Sequence, residues 1–220
     1  MADASLQTAR ENMIESQVRT WDVLDQRVLD LMREIPREHF VPPRYRSLAY
    51  ADTQVPLGHG QVMEPPKLIG HILQSTAPGR RDRVLEVGTG SGYLTACLTR
   101  LAREVDSVDI FPEFTAPAQA RLDALGLTAN LSTQDLARGP EAAEQRYDVI
   151  VVTGSLPCPH QGFHRALALN GRLFMVVGTL PIMEALLITR VGVDQWASES
   201  LLDTALPPLV NAPTPDPFHF

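Results

Sequence analysis

Apolar positions near the start of the chain recur at helical spacing, and after residue 83 they cluster into short runs of strand length. The stretches Ala9 to Thr20 and Val23 to Ile35 read as two helices. The second carries Leu24, Val28, Leu31, Met32 and Ile35 on one face until Pro36 stops it. The helical pattern breaks over residues 41–66, where Pro42, Pro43, Pro56, Gly58, Gly60, Pro65 and Pro66 favour a shaped loop over regular structure. Long ordered loops usually carry function. Lys67 to Gln74 reads as a helix, with Pro65-Pro66 at its start, where a missing N–H costs nothing.

From Arg83 onward strands and helices alternate. Val84–Val87, Val105–Asp109, Thr128–Thr133, Val149–Val152 and Leu173–Val177 are the predicted strands, with helices such as Tyr93–Leu101 and Glu113–Leu125 between them. Alternation of this kind gives a parallel, doubly wound α/β sheet. Leu186–Val191 and Trp196–Thr204 are separated only by Gly192 to Gln195, too few residues for a crossover helix, so they form an antiparallel hairpin. The expected organisation is one Rossmann-like domain over 1–220: an N-terminal helical cap and loop (1–78), a sheet with its helices (79–206) and a Pro-rich extended tail (207–220). Phe218 and Phe220 are expected to dock that tail on the body.

The 220 residues are 44% hydrophobic and 20% charged, which suits one large soluble domain. A net charge of −7 repels a phosphate backbone, so a nucleic-acid partner is not expected. No apolar stretch approaches the roughly 20 residues a bilayer needs. The polar start Met1-Ala2-Asp3-Ala4-Ser5 has no signal-peptide core, so the expected location is cytoplasmic, with no membrane partner. Cys97 in a helix and Cys158 in a Pro-flanked loop imply neither a disulfide framework nor a metal site.

The densest chemistry lies in Arg83-Val84-Leu85-Glu86-Val87-Gly88-Thr89-Gly90-Ser91-Gly92, followed by Val105-Asp106-Ser107-Val108-Asp109. A strand enters a glycine turn whose backbone can press against a ligand, and a second strand ends on an acid about twenty residues later, where a ribose anchor belongs. The spacing is G-x-G-x-G, not the G-x-G-x-x-G of a pyrophosphate turn, and Glu86 precedes it. A carboxylate there repels phosphate and suits a cation. S-adenosylmethionine, with a sulfonium, an ammonium group and no phosphate, matches that charge better than NAD does. A cofactor-binding module without transfer activity and a NAD-dependent oxidoreductase stay open as alternatives.

Other residues carry less. His160 and His164 lie four apart but have no acidic or Cys partner beside them, so no metal site is assigned. His59 lies in the loop, where solvent exposure and substrate contact are both open. Trp21, Met13, Met32 and Met183 read as packing, and Met63 as packing or a pocket wall. Thr153-Gly154-Ser155-Leu156-Pro157 lacks the Asn/Asp-Pro-Pro-aromatic segment typical of methylation at amide or base nitrogens.

Over nearly its full length the chain resembles the protein-L-isoaspartate O-methyltransferases, which have the class I methyltransferase fold. The matching stretches are Ile35 to Pro42, Ala49 to Asp52, Pro56 to Gln61, Leu85 to Leu94, Tyr147 to Thr153 and Asn170 to Phe174, in family order. The resemblance implies that Gly88, Gly90 and Gly92 line the methionine part of S-adenosylmethionine, Asp109 the ribose and Asp135 the adenine amine; Glu86, by its charge, and Thr89 and Ser91 of the same turn are also expected to bind the cofactor. Around Asp135 the family has Gly-Asp-Gly, where this chain has Gln134 and Leu136. His59, Gln61, Val62 and Met63 would face the substrate, and Glu64 and Thr153 would sit beside the reacting group. The implied reaction is carboxyl O-methylation of isoaspartyl residues in damaged proteins or peptides, with S-adenosylhomocysteine as product. A small-molecule acceptor remains the alternative.

One departure bears on the acceptor. The family loop continues into Thr-Ile-Ser-x-Pro, whereas this chain reads Val62-Met63-Glu64-Pro65, which removes two hydroxyls and adds an acid. Like charges about 4 Å apart repel by about 1 kcal/mol in water and several-fold more when desolvated. Glu64 either turns to solvent or caps the next helix, or it receives a cationic or hydroxyl-bearing substrate as pairing partner or general base, or catalysis is lost. Methyl transfer to an ionised carboxylate needs alignment more than a base, so the lack of a catalytic dyad excludes nothing.

Overall fold

The structure, a computed structural model, describes residues 2–140 and 146–213. Helix α1 (Ala2–Met13) continues through a π-turn (Ile14–Val18) and a 3₁₀ turn (Arg19–Trp21) to Asp22, whose φ of 60° ends it. This element begins earlier than the apolar spacing predicts, and its tight turns keep Met13, Ile14 and Val18 all buried. Helix α2 (Gln26–Glu34) starts later than expected because Asp25 is its N-cap, accepting from the Arg27 N–H. Trp21 is a correction to the packing expectation: it is 46% exposed and lies beneath the Lys67 ammonium, 3.8 Å from the ring centroid.

The Pro/Gly-rich segment is also more regular than its composition suggests. It holds a 3₁₀ turn (Pro43–Leu48) and an antiparallel hairpin of β1 (Val55–Gly58) and β2 (Gln61–Met63). Positive φ at Gly58, His59 and Gly60 turns the hairpin. The prolines sit where a two-stranded edge tolerates them. Helix α3 (Pro66–Thr76) follows.

The main sheet has the order β5-β4-β3-β6-β7-β8-β9. Its parallel part is β3 (Arg83–Val87), β4 (Glu104–Asp109), β5 (Asn130–Thr133), β6 (Tyr147–Leu156) and β7 (Leu167–Thr179). The strands β8 (Ile182–Gly192) and β9 (Gln195–Asp203) pair antiparallel, as expected, and β8 also runs antiparallel to β7. Both β6 and β7 run further than their apolar cores, so Thr153 lies within β6 and not after it.

Alternation along the strands splits the core in two. Val84, Val149, Val151, Phe174 and Val176 share one cluster with α1, α2, α3 and α4 (Tyr93–Leu101). Leu85, Val87, Ile150, Val152, Leu173 and Met175 share the other with Phe163 and Ala166 of α6 (Gln161–Ala166). Val149 to Val152 are all fully buried, the mark of a strand covered on both faces. Burial of each such side chain contributes about 1.5–3 kcal/mol. The connection β4 to β5 passes through α5 (Pro112–Ala124).

After β9 the chain returns across the sheet. Ser155 donates its N–H to Pro207 O and accepts from Leu209 N, each at 2.9 Å, forming a parallel bridge to Pro208. The tail is therefore docked through residue 213 and includes one strand-like bridge. Phe218 and Phe220 fall outside the described residues.

Candidate active site at the carboxyl ends of β3, β4 and β6

The strand order changes direction between β3 and β6, and open α/β sheets bind ligands in the crevice outside such a point. A cleft opens there. It is lined by Glu86 to Ser91 from β3 and its turn, Asp109 to Phe111 after β4, Gln134 to Ala137 after β5, and Thr153 and Gly154 from β6. Gln61, Val62 and Glu64 enter from the hairpin side, and Pro207, Leu209 and Val210 from the returning tail.

The glycine turn is shaped by what it must pass. A Cβ on Gly88 would sit 2.0 Å from Thr153 Oγ1, and its φ of 101° suits only glycine. The Thr153 hydroxyl lies 3.0 Å from Val87 O and 2.9 Å from Gly88 O, so it ties β6 to the start of the turn. Gly92 does not line the cleft; it precedes α4 at φ 83°, and a Cβ there would meet Ala118 of α5 at 2.8 Å. Thr89 and Ser91 line the wall, with Thr89 Oγ1 2.7 Å from Ser107 Oγ and Ser91 Oγ accepting from Tyr93 N at 3.3 Å.

Glu86 is fully buried. Its Oε2 accepts from Thr95 Oγ1 at 2.5 Å and Ser107 Oγ at 2.6 Å, while Oε1 has no partner. Burial pushes this carboxyl up to about 8; the two hydroxyls oppose the shift, and the neighbouring Glu64 and Asp109 add to it. Asp109 Oδ2 accepts from Gly90 N at 2.9 Å and Oδ1 from Phe111 N at 3.0 Å. Burial raises Asp109 against those bonds. Asp135 Oδ1 accepts from Ala137 N at 3.0 Å, and Oδ2 from Asn211 Nδ2 of the tail at 2.7 Å.

Glu64 neither turns to solvent nor caps α3, whose N-cap is Pro65 without a side-chain bond. It keeps some accessible surface because it opens onto the cleft, yet burial raises its carboxyl to about 7, opposed by its own N–H and by Arg37. Arg37 holds this segment from behind. It is fully buried, donating Nε to Ala49 O at 2.8 Å and Nη2 to Glu64 O at 2.6 Å, with its guanidinium 4.9 Å from the Tyr93 ring centroid. Met63 corrects the expectation of a substrate contact: it is 1% exposed and packs in the core. His59 is exposed at the hairpin tip and stacks on Phe111, with centroids 4.1 Å apart.

Several contributors were not singled out in the sequence. Phe111 follows the ribose-type acid by two positions, a spacing that places it at the cleft and that carried a usable signal. Arg37 lies in the family-matching stretch Ile35 to Pro42 but nothing there told its role, and Leu209 and Asn211 had no signal, because all three act through chain segments that meet only in the fold. His160 caps α6 by accepting from Gly162 N at 3.2 Å, and His164 Nδ1 lies 3.0 Å from His160 O. Among the described residues the cleft lining contains four carboxyl groups and no Lys, Arg or His. Such a lining attracts cations and repels phosphates.

Comparison with known proteins gives a consistent result. Residues 8–210 match the family described as protein-L-isoaspartate(D-aspartate) O-methyltransferase. A protein-L-isoaspartate O-methyltransferase 1 of Rhodopseudomonas palustris (strain HaA2) is 37% identical over 209 residues, covering 94% of this chain and 84% of the relative. One from Anaeromyxobacter sp. (strain Fw109-5) is 39% identical over 199 residues, covering 89% and 93%. A crystal structure of a Plasmodium falciparum protein-L-isoaspartate O-methyltransferase in complex with S-adenosyl-L-homocysteine superimposes with a TM-score of 0.78. It covers 91% of this chain and 97% of its own at 18% identity, a likeness of fold.

Proposed function

The chain belongs to the protein-L-isoaspartate(D-aspartate) O-methyltransferase family, and from that premise we propose that it transfers the methyl group of S-adenosylmethionine to the free α-carboxylate of isoaspartyl residues in proteins or peptides. The observation that carries this reading is that one cleft is lined at once by the glycine turn, the acid after β4, and the hairpin and tail that would hold an acceptor.

The residues fit the cofactor. Glu86 Oε1 is a buried acceptor without a partner, and the ammonium of the methionine part is the donor that the site lacks. Asp109, held by the Gly90 and Phe111 amides, has lone pairs left for ribose hydroxyls, and Asp135, which also lines the cleft, is the proposed acceptor for the adenine amine. When bound, S-adenosylmethionine supplies an electrophilic methyl on a sulfonium and leaves as S-adenosylhomocysteine.

The chain contributes alignment. An acceptor carboxylate oxygen forms the new O–CH₃ bond as the C–S bond breaks and its electron pair stays on sulfur, so no residue need remove a proton. Thr153 and Glu64, which both line the cleft, are the groups proposed beside the reacting carboxylate, with Gln61 and Val62 completing the acceptor wall. Holding the reacting atoms in line and excluding water supplies the acceleration. Methoxide leaves far more readily than the oxygen of a carboxylate, so the neighbouring backbone nitrogen can attack the ester carbonyl, form the C–N bond as methanol is expelled, and close a succinimide that water opens in part to normal aspartate. No helix among the described residues is long and apolar enough to cross a membrane, and a cytoplasmic setting belongs to the same proposal.

The test is product analysis. An isoaspartyl peptide incubated with the protein and S-adenosylmethionine is expected to give a base-labile methyl ester, then succinimide, then a growing share of normal aspartyl peptide. A base-stable methyl product, or none with cofactor bound, overturns the assignment.

A further inference from the structure

Glu64 is the residue that makes the acceptor wall unusual. Its carboxyl opens onto the cleft, and among the described residues the only hydrogen bond it meets is from its own N–H. Among the described residues the cation acting on it is Arg37, which donates Nε and Nη2 to the carbonyls of Ala49 and of Glu64 itself, leaves Nη1 without a partner, and makes no hydrogen bond to the Glu64 carboxyl. Glu86 of β3 lines the same cleft and, among the described residues, has no cationic partner. Tyr93 and Cys97 of α4 lie behind Arg37, where burial raises both. An isoaspartyl carboxylate arriving here would be one more acid in a lining without Lys, Arg or His. With the cofactor ammonium on Glu86, Glu64 and the arriving carboxylate remain as two like charges in a desolvated cleft, and the ordinary resolution is that one of them keeps a proton.

We propose that Glu64 works as a carboxylic acid and not as a carboxylate, donating a hydrogen bond from its O–H to the isoaspartyl carboxylate and thereby setting acceptor affinity. This inference rests on the isoaspartyl reading above. The proton stays on Glu64 throughout, since the acceptor loses its charge when the ester forms and needs no proton. Burial places the group near pH 7, so the acid form dominates below neutrality and is lost above it. Arg37 opposes the proton, and Glu86, when ionised, favours it.

The experiment is a pair of pH profiles at saturating S-adenosylmethionine, with S-adenosylhomocysteine affinity measured at each pH to separate the Glu86 titration. In the unsubstituted protein KM for the isoaspartyl peptide is expected to rise above about pH 7, approaching tenfold per pH unit, with kcat little changed. Glu64→Gln, which keeps a neutral donor at every pH, is expected to have a flat KM. A flat profile in the unsubstituted protein, or an unchanged rise in Glu64→Gln, overturns the proposal. Calorimetry of the unsubstituted protein with the same peptide near pH 8, in buffers of different ionisation heat, gives a readout independent of the variant. Uptake of about one proton is expected, and no uptake overturns the inference. If the peptide is neither bound nor methylated at any pH while S-adenosylhomocysteine still binds, the isoaspartyl reading itself fails, which is a different outcome.

Discussion

At the scale of single residues, the site is built from carboxyl groups whose protons are displaced by burial. Glu86 is the clearest, with no accessible surface and a folded value near 8 against an ordinary value of 4.5. Because the folded state holds this proton more tightly than the unfolded chain, its contribution to stability is fully present below about pH 4.5 and is lost as pH rises through 8. The ligand-free protein should therefore melt at lower temperature as pH goes from 5 to 8, an effect on the order of a few kcal/mol. Glu86→Gln should flatten that slope in thermal melts and weaken S-adenosylhomocysteine binding; a slope unchanged by the substitution contradicts this account of Glu86. These residues were legible in advance because their signals are local: Glu86 two positions before Gly88, and Asp109 at the end of the next apolar run. His59, Met63 and Gly92 were less so. Each lies in a motif, but whether its side faces the cleft depends on a strand register or a helix neighbour that spacing alone does not give.

At the scale of elements, the returning tail acts as a strap over the cleft. It is held by the bridge to Ser155, by Ser155 Oγ donating to Leu206 O at 2.9 Å, and by Asn211 on Asp135. Gly154 permits the contact, since a Cβ there would stand 2.7 Å from Leu209 Cδ2. Gly154→Ala should push the strap out, speeding protease cleavage between residues 206 and 213 and raising the S-adenosylhomocysteine Kd several-fold; unchanged cleavage and affinity would contradict the strap's role. Asn211→Ala should weaken S-adenosylhomocysteine by threefold to tenfold, the worth of about one hydrogen bond. The same substitution should cost much less with the S-inosyl analogue, which lacks the adenine amine. Equal losses for both nucleosides would mean that Asn211 does not act through Asp135. Prolines announced this tail as extended, but nothing in its composition told that Pro208 would lie beside Ser155. The hairpin in residues 41–66 was hidden for the opposite reason: Pro and Gly forecast a loop, and pairing of Val55 with Met63 needed only three or four residues on each side.

At the scale of the whole molecule, alternating strands and helices fixed the doubly wound plan, and the short interval before Gln195 fixed the antiparallel end of the sheet. What the pattern could not place was the layer of N-terminal helices, whose burial depends on α3 and α4 lying on the same face. That layout joins a cation-attracting cofactor wall to an acceptor wall made from the first and last thirds of the chain. Ligand binding should therefore tie distant segments together. S-adenosylhomocysteine at about 100 times its Kd should stabilise the fold by about 2.7 kcal/mol, seen as a rise in Tm, while NAD at equal concentration should leave Tm unchanged. The most direct test of the central claim is the initial rate of methyl transfer from labelled S-adenosylmethionine to an isoaspartyl peptide beside its normal aspartyl twin. Labelling of the isoaspartyl peptide alone, in base-labile form, is the predicted result; equal labelling of both peptides, or of neither while the cofactor is bound, would contradict it.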